Sequence, residues 1–120
     1  WALPWAAWWA RRRGGGTPPT RTEDGWLSLW HGVEPKEIVG IYRTYWSILD
    51  KDNPANVVRT NHETLLEAAP HLTAPLEDKM YIRDVVFTTG IADGGDHYVV
   101  ASGEADLACR ITHIPKATFR

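Results

Sequence analysis

Between Trp26 and Val33 the side chains alternate across an extended backbone, with Leu27, Leu29, His31 and Val33 on one face and Trp26, Ser28 and Trp30 on the other. Both faces carry large apolar groups, which predicts a strand covered from two sides, as in stacked sheets. Ile38 to Leu49 is a second run rich in β-branched and aromatic residues, and the turn formers of Asp50-Lys-Asp-Asn-Pro54 close it. Asn56 to Thr60 reads as a short strand, Glu63 to Ala69 as one helical turn stopped by Pro70, and Pro70 to Glu77 as an exposed loop. Val85 to Ile91 and His97 to Ser102 flank Ala92-Asp-Gly-Gly-Asp96, whose glycines supply the positive φ that a hairpin reversal needs. Leu107 to Ile114 follows as a last strand. Short strands separated by turns, with almost no helix, predict an all-β fold of antiparallel sheets.

A length of 120 residues with 43% hydrophobic and 23% charged side chains suffices for a packed core and excludes a disordered tail. The net charge of −2 gives no overall field to draw the chain to nucleic acid or to anionic lipid. No apolar run reaches the length of about eighteen residues that spanning a membrane requires. Cys109 is the lone cysteine, so no internal disulfide forms; it reads as a buried, inert thiol, and this usage fits a reducing, cytoplasmic setting. Trp1 to Ala10 holds four of the seven tryptophans, starts without Met and runs into Arg11, Arg12, Arg13 and three glycines. Residues 1–13 therefore read as an atypical Trp/Arg-rich segment, a cut or altered end, ahead of a domain over 14–120. A signal peptide would carry its positive charge before the apolar run.

Candidate chemistry is open in two directions at each point. Arg11 to Arg13 beside Gly14 to Gly16 suit a basic backbone nest for an oxyanion, or a solvated linker. His31 is either a core histidine bonded to backbone or a ligand of phosphate or a sugar hydroxyl, since a neutral imidazole offers one donor and one acceptor. Tyr42 suits sheet packing or, by its distance from His31, a place in the site, and Trp26, Trp30 and Trp46 suit core packing or stacking on the apolar faces of sugar rings. Glu104, Asp106 and Arg110 share parity on an extended strand. There the two carboxylates could serve hydrolysis with inversion, or simply pair with Arg110 in a turn. No metal site or cofactor is expected: His62, His71, His97 and His113 show no close pairing, and Asp50-x-Asp52-Asn53 lacks the Gly and distal Glu of a calcium loop.

Taken in order, Gly14-Gly-Gly-Thr-Pro-Pro-Thr-Arg-Thr-Glu-Asp-Gly-Trp-Leu-Ser-Leu-Trp-His-Gly-Val33, Tyr42-Arg43, Leu49-Asp50 with Pro54, Asp84-Val-Val-Phe-Thr-Thr-Gly90 and Ser102-Gly-Glu-Ala-Asp106 resemble the motifs of glycoside hydrolase family 130, the mannoside phosphorylases and related glycosidases. The resemblance implies a five-bladed β-propeller, of which this length is a partial copy of about two blades of antiparallel strands. It implies cleavage of β-mannosidic bonds with inversion, by phosphate or, in some members, by water. It places the catalytic acid in an earlier blade, outside this chain, so that the chain alone is inactive. It implies that Arg12, where the family commonly has Lys, lines the phosphate and substrate site with His31 and Tyr42, and that Asp106 is a sugar-side acid. Glu104, Asp84 and Arg110 are further candidates. The implied co-substrate is inorganic phosphate and the implied partner an oligosaccharide or glycoside; open sheet edges would favour homo-oligomers. Against the family's Tyr-Tyr-Gly-Ala-Ala-Asp this chain has Ala101-Ser-Gly-Glu-Ala-Asp106, and it carries Asp84 for Asn and Tyr45 for Gly. The alternative is a non-catalytic glycan-binding propeller, which grips a sugar but protonates no leaving group.

Overall fold

A computed structural model describes residues 12–34, 40–61 and 63–120, the side chains of Arg12 and Arg13 excepted. Within those residues the fold is all-β, in two antiparallel sheets. The first is built on β3 (Trp26–Glu34) and β4 (Ile41–Leu49), paired from Trp26 opposite Leu49 to Glu34 opposite Ile41. Two short strands, β1 (Arg12–Gly15) and β2 (Thr20–Arg21), add to the other side of β3, and β5 (Val57–Thr60) adds to β4. The second sheet is a meander of β6 (Val86–Asp93), β7 (His97–Glu104) and β8 (Ala108–Pro115).

Period-two alternation decides which side chains meet between the sheets. Leu27 lies opposite Ile48 and Leu29 opposite Trp46. This quartet packs with Val86, Tyr98, Val100 and Ile114 of the second sheet and with Leu66. Phe119 closes the cluster with its ring edge-on to Trp46 and Tyr98. Each fully buried aliphatic side chain here contributes about 1.5–3 kcal/mol. A hydroxyl pair, Thr44 and Thr88 at 2.6 Å, ties the sheets across their buried faces. On the opposite face of the first sheet Trp30 stacks on Tyr45 at 4.9 Å, and its indole N–H donates to Ser47 Oγ at 3.1 Å. Strand β3 is thus covered on both sides, as its two apolar faces require.

Four expectations are corrected. Residues 63–69 are not a helical turn: Thr44 N–H donates to Leu66 O at 2.9 Å and Leu65 N–H to Thr44 O at 2.8 Å, which lays the segment along β4. The helix starts where it was expected to stop. It forms α1 (Pro70–Thr73), followed by a 3₁₀ stretch over Ala74–Lys79, because a proline at the first helical position lacks an N–H that would be unpaired there anyway. Cys109 is exposed, since β8 turns its odd-numbered residues outward at the margin of the sheet. His97 and His113 do meet, with ring centroids 5.0 Å apart, because pairing of Val99 with His113 puts them diagonally on one face. The Ile38 start of the second strand, His62, Arg11 and the rest of residues 1–11 lie outside the described residues.

Candidate functional site

Strand register assembles one rim from both sheets. Arg12 lies opposite Val33, and Val33 opposite Tyr42. The row crosses to the second sheet at Asp84-Val85: Tyr42 N–H donates to Asp84 O, and Ala105 N–H to Val85 O, both at 2.9 Å. The backbone at Arg12, Tyr42, Asp84 and the turn carrying Asp106 therefore falls along one end of the two sheets, with His31 two residues inward of Val33.

His31 is the centre of this rim. Its ring lies 5.6 Å from Tyr42 and 4.7 Å from Phe87, and Tyr42 and Phe87 are 6.3 Å apart. Burial pushes the imidazole below its ordinary value of 6.5, so the neutral form dominates at neutral pH. Its Nδ1 is buried and has no hydrogen-bond partner among the described residues. A core histidine of the ordinary kind would be bonded there, because a buried polar atom left unpaired costs about 1–3 kcal/mol. The triple glycine explains how the ring fits. Gly14 pairs with His31 in β1 and leaves its Cα open to the imidazole, while Gly16 N–H donates to Leu29 O at 2.9 Å. At Gly14 and Gly15 the run is neither a linker nor a nest but a strand that lets the imidazole approach.

Asp106 sits elsewhere than the strand parity predicts. It occupies a tight turn between β7 and β8 rather than a continuous strand, so it shares no face with Glu104 and Arg110. Asp84, Ala105 and Asp106, with φ of 55°, 50° and 56°, are left-handed residues without the freedom of glycine. Such conformations cost about 1–3 kcal/mol each and gather at functional sites. Asp106 Oδ2 accepts a hydrogen bond from the Tyr81 hydroxyl at 3.2 Å.

Glu104 is engaged on both oxygens. It is 1% exposed, Oε1 accepts from Arg110 Nη1 at 2.8 Å and Oε2 from Ala69 N–H at 3.1 Å. Arg110 also donates to Glu67 O at 2.9 Å. Arg43, next to Tyr42 in sequence, is paired to Glu34 at 2.8 Å and faces Glu67 at 3.7 Å. A cavity of about 120 Å³ bounded by Pro70, Met80, Arg83, Asp84, Glu104 and Ala105 lies behind the Asp106 turn. The larger cleft, about 540 Å³ and lined by Arg21, Asp24, Asp96, Tyr98, Lys116 and Arg120, lies at the far end of the sheets and contains none of the candidate residues.

Phe87 was missed by the sequence reading. Its one signal is that it falls out of phase with Val86 and Thr88, which face the core, and so presents a large aromatic outward, 37% exposed. An imidazole with an unpaired nitrogen, two aromatic faces and carboxylates on one rim is equipment for a ligand that is both polyhydroxylated or anionic and partly apolar.

Comparison with known proteins gives the family. The family model described as β-1,4-mannooligosaccharide phosphorylase matches residues 2–118. A β-1,2-mannobiose phosphorylase of a Thermoanaerobacter species is 32% identical over 109 residues, 91% of this chain and 34% of its own length. A 1,2-β-oligomannan phosphorylase from the same source is 35% identical over 99 residues, 82% of this chain and 31% of its own. The solved β-1,2-mannobiose phosphorylase of Listeria innocua, in complex with β-1,2-mannobiose, superposes with a TM-score of 0.72 at 29% identity, over 89% of this chain and 28% of that one. The chain belongs to glycoside hydrolase family 130. It spans about a third of the length of the curated relatives it matches.

Proposed function

We propose that this chain forms the phosphate- and sugar-facing rim of a β-mannoside phosphorylase, with its two sheets as neighbouring blades of a five-bladed propeller and residues 14–120 as the C-terminal part of that domain. In the reaction a phosphate oxygen attacks the anomeric carbon while the glycosidic C–O bond breaks. The leaving oxygen takes a proton from an acid outside these residues, and mannose 1-phosphate is released with inverted configuration. Arg12 supplies charge to the phosphate, and neutral His31 offers one N–H donor to a phosphate oxygen. Tyr42 and Phe87 present aromatic faces to the apolar C–H faces of a sugar ring. Asp106 accepts from a sugar hydroxyl.

The observation that carries the reading is the His31 imidazole within the Tyr42 and Phe87 cluster, its Nδ1 buried and without a partner among the described residues. Phosphorolysis is favoured over hydrolysis because the relatives that the chain resembles are named as phosphorylases; hydrolysis with inversion would need a further carboxylate to activate water. Glu104 does not suit that role, being occupied by Arg110 and Ala69.

The test is an assay of the full-length polypeptide on β-1,2- and β-1,4-mannobiose, with and without phosphate. Mannose 1-phosphate formed only with phosphate supports the proposal. Mannose released without phosphate rejects phosphorolysis, and binding without turnover supports the glycan-binding alternative. His31→Ala is expected to raise the KM for phosphate by tenfold or more, on the order of a lost charged hydrogen bond, while the protein still melts cooperatively.

A further inference from the structure

The Asp106 carboxylate has a partner that the proposed function does not use. Tyr81 lies on the segment between the 3₁₀ stretch and β6, and its hydroxyl donates to Asp106 Oδ2 at 3.2 Å. The phenol is 69% exposed, so packing does not hold it in place. The chain beside each partner is tied instead, next to Tyr81 by side-chain contacts of Arg83 and next to Asp106 by backbone hydrogen bonds. Arg83 Nη2 binds Glu77 Oε1 at 2.5 Å and Nη1 approaches Met80 Sδ at 3.8 Å, which ties the Tyr81 segment back onto the 3₁₀ stretch. The Asp106 turn is secured by Ala105 N–H to Val85 O and Leu107 N–H to Glu104 O, both 2.9 Å. Desolvation and the negative charge of Asp106 push the phenol above its ordinary value of 10.0, so it stays a donor throughout the neutral range.

An exposed aspartate turns easily about its last torsion, which is broad and nearly two-fold. A donor fixed on one oxygen removes that freedom before any ligand arrives. We propose that Tyr81 is the positioning residue for Asp106, occupying Oδ2 so that Oδ1 is presented to a hydroxyl of the mannosyl unit. The inference rests on the reading of Asp106 as the sugar-side acid. Its benefit is ordering made in advance, so it acts on sugar affinity and leaves phosphate binding alone.

The test compares Tyr81→Phe, Asp106→Asn and the double variant in the full-length polypeptide, using whichever of β-1,2- and β-1,4-mannobiose the wild type takes. In Tyr81→Phe the KM for mannobiose is expected to rise about fivefold to tenfold, the size of one ordinary hydrogen bond at an exposed site, with kcat and the KM for phosphate within twofold. In the Asp106→Asn background the amide oxygen still accepts from the phenol but carries no charge, so the same substitution is expected to add less than it does in the wild type. A mannobiose KM within twofold of wild type overturns the inference. So does a parallel rise in the KM for phosphate, or an undiminished effect in the Asp106→Asn background. Calorimetric titration with mannobiose separates the two readings. A wild type that binds without turnover retires phosphorolysis only, and Tyr81→Phe must then weaken binding by the same factor. A wild type that neither binds nor turns over mannobiose overturns both.

Discussion

Replacing Gly14 by alanine separates the role of His31 in the site from its role in the fold. Gly14 faces His31 across the β1 and β3 pair, and an added Cβ would stand 2.7 Å from Cε1 and 2.9 Å from Nε2 of the imidazole. Carbon contacts settle at about 3.5–4.0 Å, so the ring must retreat by about an ångström. Its Nδ1 has no hydrogen-bond partner among the described residues to resist the move. The backbone at Gly14 is an ordinary strand conformation, which alanine adopts without strain, and restricting the unfolded chain favours folding by about 0.4–1 kcal/mol. Fold and site should therefore respond in opposite directions. A displacement of this size in a group that holds a reactant costs up to about 100-fold in rate. For Gly14→Ala we expect kcat/KM for phosphate to fall about 10- to 100-fold, equivalent to about 1.4–2.7 kcal/mol, with the melting temperature equal to or above wild type. Initial rates of mannose 1-phosphate formation over a range of phosphate concentrations, with a thermal melt of the same sample, provide the assay. Wild-type phosphate dependence in a variant that folds normally would refute the placement of His31 in the phosphate site. A parallel loss of stability and activity would return the ring to the core.

Two further outcomes follow from groups already placed. Arg110→Ala strips the cation from a carboxylate that is 1% exposed and is expected to cost about 3–5 kcal/mol, whereas Glu104→Gln keeps an acceptor for Ala69 N–H and should cost less. Urea unfolding measures both, and a loss below about 1 kcal/mol for Arg110→Ala would show the pair to be solvated. The lowered pKa of His31 fixes the sign of a pH effect. Below 6.5 the unfolded chain takes up a proton that the folded imidazole refuses, so stability is full above 6.5 and declines as the pH drops towards the folded value. His31→Gln should flatten that slope, read as the change in melting temperature between about pH 7.5 and about pH 5.5; an unchanged slope would show that the imidazole titrates normally.

The strands of the second sheet were legible because their burial alternates with the pleat, and β3 and β4 because β-branched and aromatic residues fill both faces. Leu27, Leu29, Ile48 and Val100 each fall where period two puts them, and Asp93 to Asp96 turn as their glycines require. Pro70 was misread because a proline marks the start of a helix as readily as its end, and only the capture of Leu65 and Leu66 by Thr44 decides between them. His31 and Tyr42 were legible as a pair through motif and spacing. Phe87 was not, because its ring joins them from the other sheet, 56 positions from His31, and no local pattern encodes that contact. Glu104 and Arg110 were read as neighbours on one strand, when they belong to two strands joined by a turn. The ion pair was one of the two readings that the residues left open; its burial, and the Ala69 N–H that shares it, were not foreseen.

The dipeptide Asp84-Val85 joins the two halves of the rim, because its carbonyls accept from Tyr42 on the first sheet and from Ala105 on the second. The backbone at Tyr42 and at Ala105 is thereby tied across the two sheets by two hydrogen bonds, in addition to the shared core and the Thr44–Thr88 hydroxyl pair. That geometry requires Asp84 to hold a φ of 55°, where a β-branched or bulky residue would be strained. Asparagine and aspartate are the side-chain-bearing residues that enter this region most readily, because their short polar groups bond the local backbone. The departure from the family's Asn therefore leaves the backbone conformation available and changes only charge, adding a carboxylate on the side of the rim where Asp106 already lies. The exchange at position 104 is of a different kind. There the new carboxylate is buried, and Arg110 with the Ala69 N–H supplies the partners that make its burial tolerable.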